Sequence, residues 1–434
     1  MADVYRRQGM AHRRSTFSLF VRSLPARRGY LVAAGLDDAL SWLAHLRFDA
    51  EACDAIASLG IFEPGFIGWL AELRFTGSVR AVAEGTIVFA DEPILEVDAP
   101  LAEAQLAETF LLNQITLQTT LATKAARCRH AAAGRAVVDF GLRRTQGVDA
   151  GMKLARVGRL VGLSGTSNVA GSDRYGIAAS GTMAHSFVQA FVDERDAFRA
   201  FAAAYHGNAV LLVDTYDTDM GIERAIDVAL ELRRDGRALR GIRLDSGDLA
   251  ELSRHARDRL DREQLHDVEV FASGGLDEYE IHRLVHEEQA PIDGFGVGSA
   301  LAVSDDAPVL DSVYKLVTVD GRPVRKTSTG KQTWPGAKQV WRTPDHGDAD
   351  VLALADEPAP SALHRALSDD VMRDGRRIAE RHTDLAAANS HFEREWQSLP
   401  ADLKDIEAPR SHRVRASERL RALTRHIDEQ HRPK

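Results

Sequence analysis

The chain contains only two cysteines, Cys53 and Cys128. They form no CxxC, so neither a disulfide framework nor a zinc site is indicated, and a reducing cytoplasm fits. Long apolar runs are missing as well. The stretch "FSLFV" is too short for a signal-peptide core, and no later segment could span a bilayer. Excess positive charge is absent. A net charge of -9 argues against a protein that coats nucleic acid and leaves room for a local basic pocket only. Nor is there a dinucleotide fingerprint or a P-loop. What remains is a chain of 434 residues, 44% hydrophobic and 27% charged, the profile of a globular enzyme long enough for two domains.

The first hundred or so residues mix short strands and helices. "STFSLFVRSL" alternates like a strand, and "GYLVAAGLDDALSWLAHL" reads as an amphipathic helix. "GSVRAVAEGTIVFADEPILEVDAP" holds strand runs cut by Gly85 and Pro93. From Leu101 the pattern turns helical for about eight turns, with a break expected within it.

After Gly134 apolar runs alternate with helical patterns. Asp214, Asp245, Ser273 and Gly298 end successive runs at intervals of 31, 28 and 25 residues, the length of one βα unit. Such units imply parallel strands covered by helices. With no dinucleotide fingerprint at the head of the series, a closed or nearly closed barrel is expected rather than an open doubly wound sheet.

Polar residues gather where these strands end: Arg143 and Arg144, Thr182, Asp214 and Asp217, Arg243 with Asp245 and Asp248, Ser273 and Ser299. In parallel α/β barrels that edge carries the active site. Asp248 and Thr182 could equally be ordinary helix N-caps. Arg243 and Asp245 are harder to dismiss. Two apart, they share one strand face, and charges there need a ligand or each other.

"ASGGLDE" (Gly274, Gly275) and "GFGVGSA" (Gly298, Ser299) are candidate phosphate cradles, since glycine lets backbone N–H groups approach an anion. Either alone is a common turn. With Arg143 and Arg144 they suggest a substrate carrying more than one phosphate. His185 stands near the start of an apolar helix. It reads either as a buried, hydrogen-bonded histidine or as a neutral nucleophile whose phosphoryl adduct the helix start would stabilise. His282 and His286 lack a third ligand and read as solvated surface.

The motifs "DFGLRRTQGVDAG", "GTSNVAGSDRYGIAASGTMAHSF", "GIRLDSGDL", "DGFGVGSAL" and "GKQTWPGAKQV" resemble those of nicotinate phosphoribosyltransferases, in the same order and across nearly the whole chain. The resemblance implies an irregular parallel (β/α) barrel at residues 106–325. Beside it would stand an α/β domain built from both chain ends, 1–105 and 326–434. It implies transfer of the phosphoribosyl group from phosphoribosyl pyrophosphate to nicotinate, in NAD salvage. It also implies ATP as co-substrate, Mg²⁺ carried by the phosphates, and a cytoplasmic homodimer with shared active sites. His185 resembles the phosphorylated histidine, and Thr182 and Arg243 the nicotinate contacts. Ser299 stands where the family often has threonine on the sugar phosphate. The residue chemistry agrees: Arg243 can grip a pyridine carboxylate through two hydrogen bonds, Asp245 can accept from ribose hydroxyls, and Arg143 and Arg144 can lie over the pyrophosphate. Asp214, Ser273, Gly274, Gly275 and Gly298 complete the expected substrate contacts. The family's leading segment carries a tyrosine that stacks on nicotinate. The resemblance starts at Met1, where that segment's methionine falls, so the tyrosine is expected upstream of Met1. The rival readings are a phosphoribosyltransferase for quinolinate or nicotinamide, or a ligand-binding homologue with impaired catalysis. A carboxylate clamp and the histidine argue against them.

Overall fold

The computed structural model describes residues 1–347, 349–378 and 384–430. The chain forms two compact units, Met1–Thr123 with Val309–Lys434, and Lys124–Pro308. No described helix is long and apolar enough to cross a membrane.

The first unit is built on a seven-stranded antiparallel sheet drawing strands from both parts of its chain. Arg14–Val21, the strand announced by alternation, pairs with Ser312–Val319 on one side and Pro93–Pro100 on the other. Phe17 and Tyr314 stack across this pairing with centroids 4.8 Å apart. The helix expected from Gly29 onward starts only at Leu36. Gly35 adopts φ 96°, a left-handed turn that separates it from the short strand Leu31–Val32.

The helix Leu101–Ala131 is unbroken over 31 residues, contrary to the expected break. No glycine or proline interrupts it. Two of its threonines return their hydroxyls to the helix: Thr120 donates to the Thr116 carbonyl and Thr123 to the Thr119 carbonyl, both at 2.7 Å.

The second unit is a mixed α/β fold on six parallel strands. They are β1 (Ala136–Asp139), β2 (Gly165–Thr166), β3 (Val210–Leu212), β4 (Gly241–Leu244), β5 (Glu269–Ser273) and β6 (Gly294–Val297). Their spatial order is β2-β1-β6-β5-β4-β3, a cyclic order that makes a parallel half-barrel. Parallel pairing sends all six carboxyl ends to one edge. Helices α1 (Thr218–Arg234) and α2 (Leu249–Arg262) follow β3 and β4 and bury one apolar face each, Ile222, Ala225 and Ile226 on the first, Ala256 and Leu260 on the second. The run "YGIAASGT" is not a strand of its own. Tyr175 closes the helix Val169–Tyr175, and only Ala179 bridges to Thr166.

The first unit also buries a charge cluster. Arg342, fully enclosed, meets Asp350 at 2.7 Å, Glu92 at 3.1 Å and Glu395 at 3.5 Å. His346 lies nearby and is almost completely buried. Burial and the Arg342 charge pull its pKa from 6.5 down to about 3. A base whose folded pKa is depressed binds its proton more readily in the unfolded chain. Stability should therefore fall as pH drops below about 6.5, at about 1.4 kcal/mol per unit. His346→Asn should flatten that slope between about pH 6.5 and 5, above the range where carboxylates contribute. Thermal midpoints measured across this range for both proteins test it, and an unchanged slope would refute it.

Candidate active site

The carboxyl ends of three neighbouring strands are joined by carboxylates. The Asp245 backbone N–H, just past β4, donates to Asp214 Oδ2 at 2.9 Å, and the Ser246 hydroxyl donates to the same oxygen at 2.6 Å. The Ser273 hydroxyl, at the end of β5, donates to Asp245 Oδ1. Gly274 follows with φ 85°, and a Cβ there would stand 1.9 Å from the Asp245 carbonyl oxygen. The first glycine loop can therefore lie against Asp245 only because residue 274 has no side chain.

Beside this chain opens an anion pocket. Arg143, Arg144, Asp245, Ser273, Gly274, Gly275, Gly298 and Ser299 all line it. The two arginines lie on the short turn Leu142–Arg144 and are exposed. The turn hangs from Asp139, a buried residue at the end of β1. Its carboxylate accepts the Gly141 N–H at 2.6 Å and the Thr166 hydroxyl at 2.7 Å. Burial raises the Asp139 pKa, and these two donors work against the shift.

Phe140 and Gly296 line this pocket and also a second one inside the sheet. The second chamber has apolar walls, including Val138, Val210, Phe271 and Phe295, with Ser180, Thr182, Arg240 and Arg243 as polar groups. Arg243 Nη2 donates to the Met183 carbonyl at 3.2 Å, while its Nε–H is buried without a partner. Burial draws the guanidinium pKa below its ordinary value, and Asp245 and Asp214 oppose that shift. The Phe140 ring lies 5.9 Å from the guanidinium carbon. Thr182 donates to the Val210 carbonyl at 2.9 Å, so it is no helix cap. Asp248 is one, accepting from the Ala250 and Glu251 N–H groups.

His185 opens a helix of only five residues, His185–Gln189, shorter than the apolar pattern suggested. Its Nδ1 lies 3.2 Å from the Thr215 hydroxyl and its Nε2 lies 3.7 Å from Asp245 Oδ2. The ring is thus hydrogen-bonded and also partly exposed at the edge where the anion pocket opens. The rings of His282 and His286 stack at 4.6 Å, with His286 exposed. Among the described residues no group of three or more His, Cys, Asp or Glu side chains could hold a metal ion.

The structure brings the twelve candidate residues together in one unit, ten of them on the two pockets and His185 and Asp214 beside Asp245. One Asp214 oxygen accepts from the Asp245 N–H and the Ser246 hydroxyl, and the other is buried. Sequence reasoning missed Phe140, Asp139 and Thr215. A signal existed for Phe140, because it stands two residues past Val138 and shares its strand face.

Fold and site define a class, the parallel α/β enzymes that hold phosphorylated substrates at the carboxyl ends of their strands. Comparison with known proteins narrows it. Residues 1–116 match the nicotinate phosphoribosyltransferase N-terminal domain, and residues 135–349 match the nicotinate phosphoribosyltransferase family. Nicotinate phosphoribosyltransferase pncB2 of Mycobacterium tuberculosis is 47% identical over 436 residues, covering 99% of this chain and 92% of the relative. The Bacillus subtilis nicotinate phosphoribosyltransferase is 44% identical over 369 residues, 82% of this chain and 74% of the relative. The crystal structure of human nicotinic acid phosphoribosyltransferase superposes with a TM-score of 0.85 at 28% identity, covering 98% of each chain. The chain belongs to the nicotinate phosphoribosyltransferase family.

Gly274→Ala tests the contact between the first glycine loop and Asp245. The left-handed backbone alone costs about 1–3 kcal/mol for a residue with a side chain. The Cβ would also push Asp245 away. Pyrophosphate binding, followed by calorimetry, should weaken much more than nicotinate binding. Wild-type pyrophosphate affinity would show that the loop adapts.

Proposed function

We propose that this chain transfers the phosphoribosyl group of phosphoribosyl pyrophosphate to nicotinate, giving nicotinate mononucleotide and pyrophosphate in NAD salvage. One observation carries the reading: an apolar chamber with an unpartnered guanidinium N–H opens, past Phe140, onto a pocket of arginines and glycines. A flat aromatic carboxylate suits the chamber and a polyphosphate suits the pocket.

Arg243 would take the nicotinate carboxylate, and Phe140 would lie against the ring at the boundary of the two pockets. The pyridine nitrogen forms a bond to C1 of the sugar as the C1–oxygen bond to pyrophosphate breaks, and that electron pair leaves with pyrophosphate. Arg143 and Arg144 neutralise the departing charge, while Asp245 and Ser273 meet the sugar hydroxyls. Catalysis of this kind is chiefly positioning and charge stabilisation. Asp245, which lines the pocket, suits a hard divalent cation, so it would receive Mg²⁺ arriving on the phosphates. Bound there, the ion would offset phosphate charge.

ATP coupling belongs to this reading through His185. With Nδ1–H donating to Thr215, Nε2 keeps its lone pair and can accept a phosphoryl group, which water later removes. The site also fits an irregular barrel. The Thr166 N–H donates to the Ala178 carbonyl, and Thr182 reaches Val210, so segment 178–182 would close the gap between β2 and β3. A cytoplasmic homodimer sharing its sites completes the proposal.

Arg243→Ala should cost nicotinate binding about 1.5–3 kcal/mol and affect phosphoribosyl pyrophosphate far less. Equal losses for both substrates in steady-state kinetics would assign Arg243 a structural role. His185→Asn should abolish acid-labile labelling from γ-labelled ATP while a weak basal transfer persists. Undiminished labelling would remove His185 from the coupling.

A further inference from the structure

Lys124 has no part in the reaction as described, yet it is completely buried and surrounded by acids. Its ammonium contacts Glu278, Asp306 at 2.8 Å and Asp305 at 3.1 Å. Glu278 is equally buried and accepts a second cation, Arg127, whose Nε lies 2.9 Å away. These acids come from two places that matter. Glu278 follows the first glycine loop by three residues. Asp305 and Asp306 follow the short helix Ser299–Val303 that leaves the second loop. Asp305 is half-exposed and lines the anion pocket itself.

A carboxylate on the wall of a pocket for polyphosphate is a liability, because like charges repel most where solvent is thin. Lys124 approaches that carboxylate from behind. Burial opposes the lysine's charge, but Glu278 and Asp306 outweigh it and hold the pKa above its ordinary value, so the ammonium persists.

We propose that Lys124 is a positioning residue for the polyphosphate: it ties the two glycine loops together through Glu278, Asp305 and Asp306, and it cancels the Asp305 charge at the pocket wall. The proposal rests on the reading that this pocket receives the pyrophosphoryl group. It is distinct from a simple core ion pair, because it couples a buried lysine to anion affinity through one partly exposed carboxylate.

The test uses the full chain, with inorganic pyrophosphate and nicotinate titrated separately by calorimetry at low salt. Lys124→Met leaves Glu278 paired with Arg127 but frees the Asp305 charge. Pyrophosphate affinity should fall about tenfold or more, with nicotinate affinity held within about threefold. Adding Asp305→Asn to that variant should bring pyrophosphate affinity back to within about threefold of wild type. A merely structural lysine would give no such recovery. Unchanged pyrophosphate affinity in Lys124→Met, or failure of the second substitution to restore it, overturns the proposal. If Lys124→Met does not fold, Asp305→Asn alone decides. Its position is half-exposed, and it should bind pyrophosphate about threefold more tightly; equal or weaker binding overturns the proposal. A wild-type chain that binds pyrophosphate but makes no nicotinate mononucleotide would refute the reaction and leave this role of Lys124 standing.

Discussion

Arg243 carries its charge among Val138, Val210 and Phe271, where water is largely excluded. A guanidinium so placed is costly unless its donors find acceptors. The protein supplies one, the Met183 carbonyl, and leaves Nε–H without any. Asp245 and Asp214 oppose the loss of charge from farther along the strand edge. An anion held in the chamber would meet that donor. That unmet donor, with Arg240 also on the wall, bears on what the chamber could hold. It favours a carboxylate over a neutral amide, because only the former returns both charge and hydrogen bonds.

The same acids serve two purposes. Asp245 counters Arg243 electrostatically and also receives Ser273. Its own N–H is fixed by Asp214, and its carbonyl forms the surface on which Gly274 rests. A displacement of Asp245 would be felt in both pockets at once. In the proposed reaction this coupling would hold ring and polyphosphate in register, a requirement when a bond to one forms as a bond to the other breaks.

Much of this was legible in the sequence, for identifiable reasons. Strand ends could be found because apolar runs stop abruptly at Asp214, Asp245, Ser273 and Gly298. Arg243 was conspicuous as a charge inside such a run. The family resemblance supplied what spacing could not, the identity of the base and the role proposed for His185. Other features depended on tertiary contacts. Asp139 reads like any strand-terminal acid until its bonds to Gly141 and Thr166 are seen. Lys124 sits in a helix with no local mark, 154 residues before Glu278. Thr182 was open to reading as a cap because threonine is a common one, and only the Val210 carbonyl explains it.

The loop "GFGVGSA" has glycines with more than one structural reason. Its glycines suggested a phosphate cradle. In the structure a Cβ on Gly294 would come 2.6 Å from the Phe271 ring, and one on Gly296 would come 2.4 Å from the Phe140 ring. These two glycines are seats for aromatic side chains that furnish the chamber. Gly298, with Ser299 behind it, faces the anion pocket, and Gly296 borders both. The strand thus seats two rings of the chamber wall with its glycines, and the turn that follows it lines the second pocket. Strand alternation puts Gly294 and Gly296 on one face, and Gly298 lies past the strand, at the start of the helix Ser299–Val303. Spacing by two is what a strand interior demands, and it also explains why the pattern GxGxG could not be a dinucleotide fingerprint, which needs its third glycine in a helix.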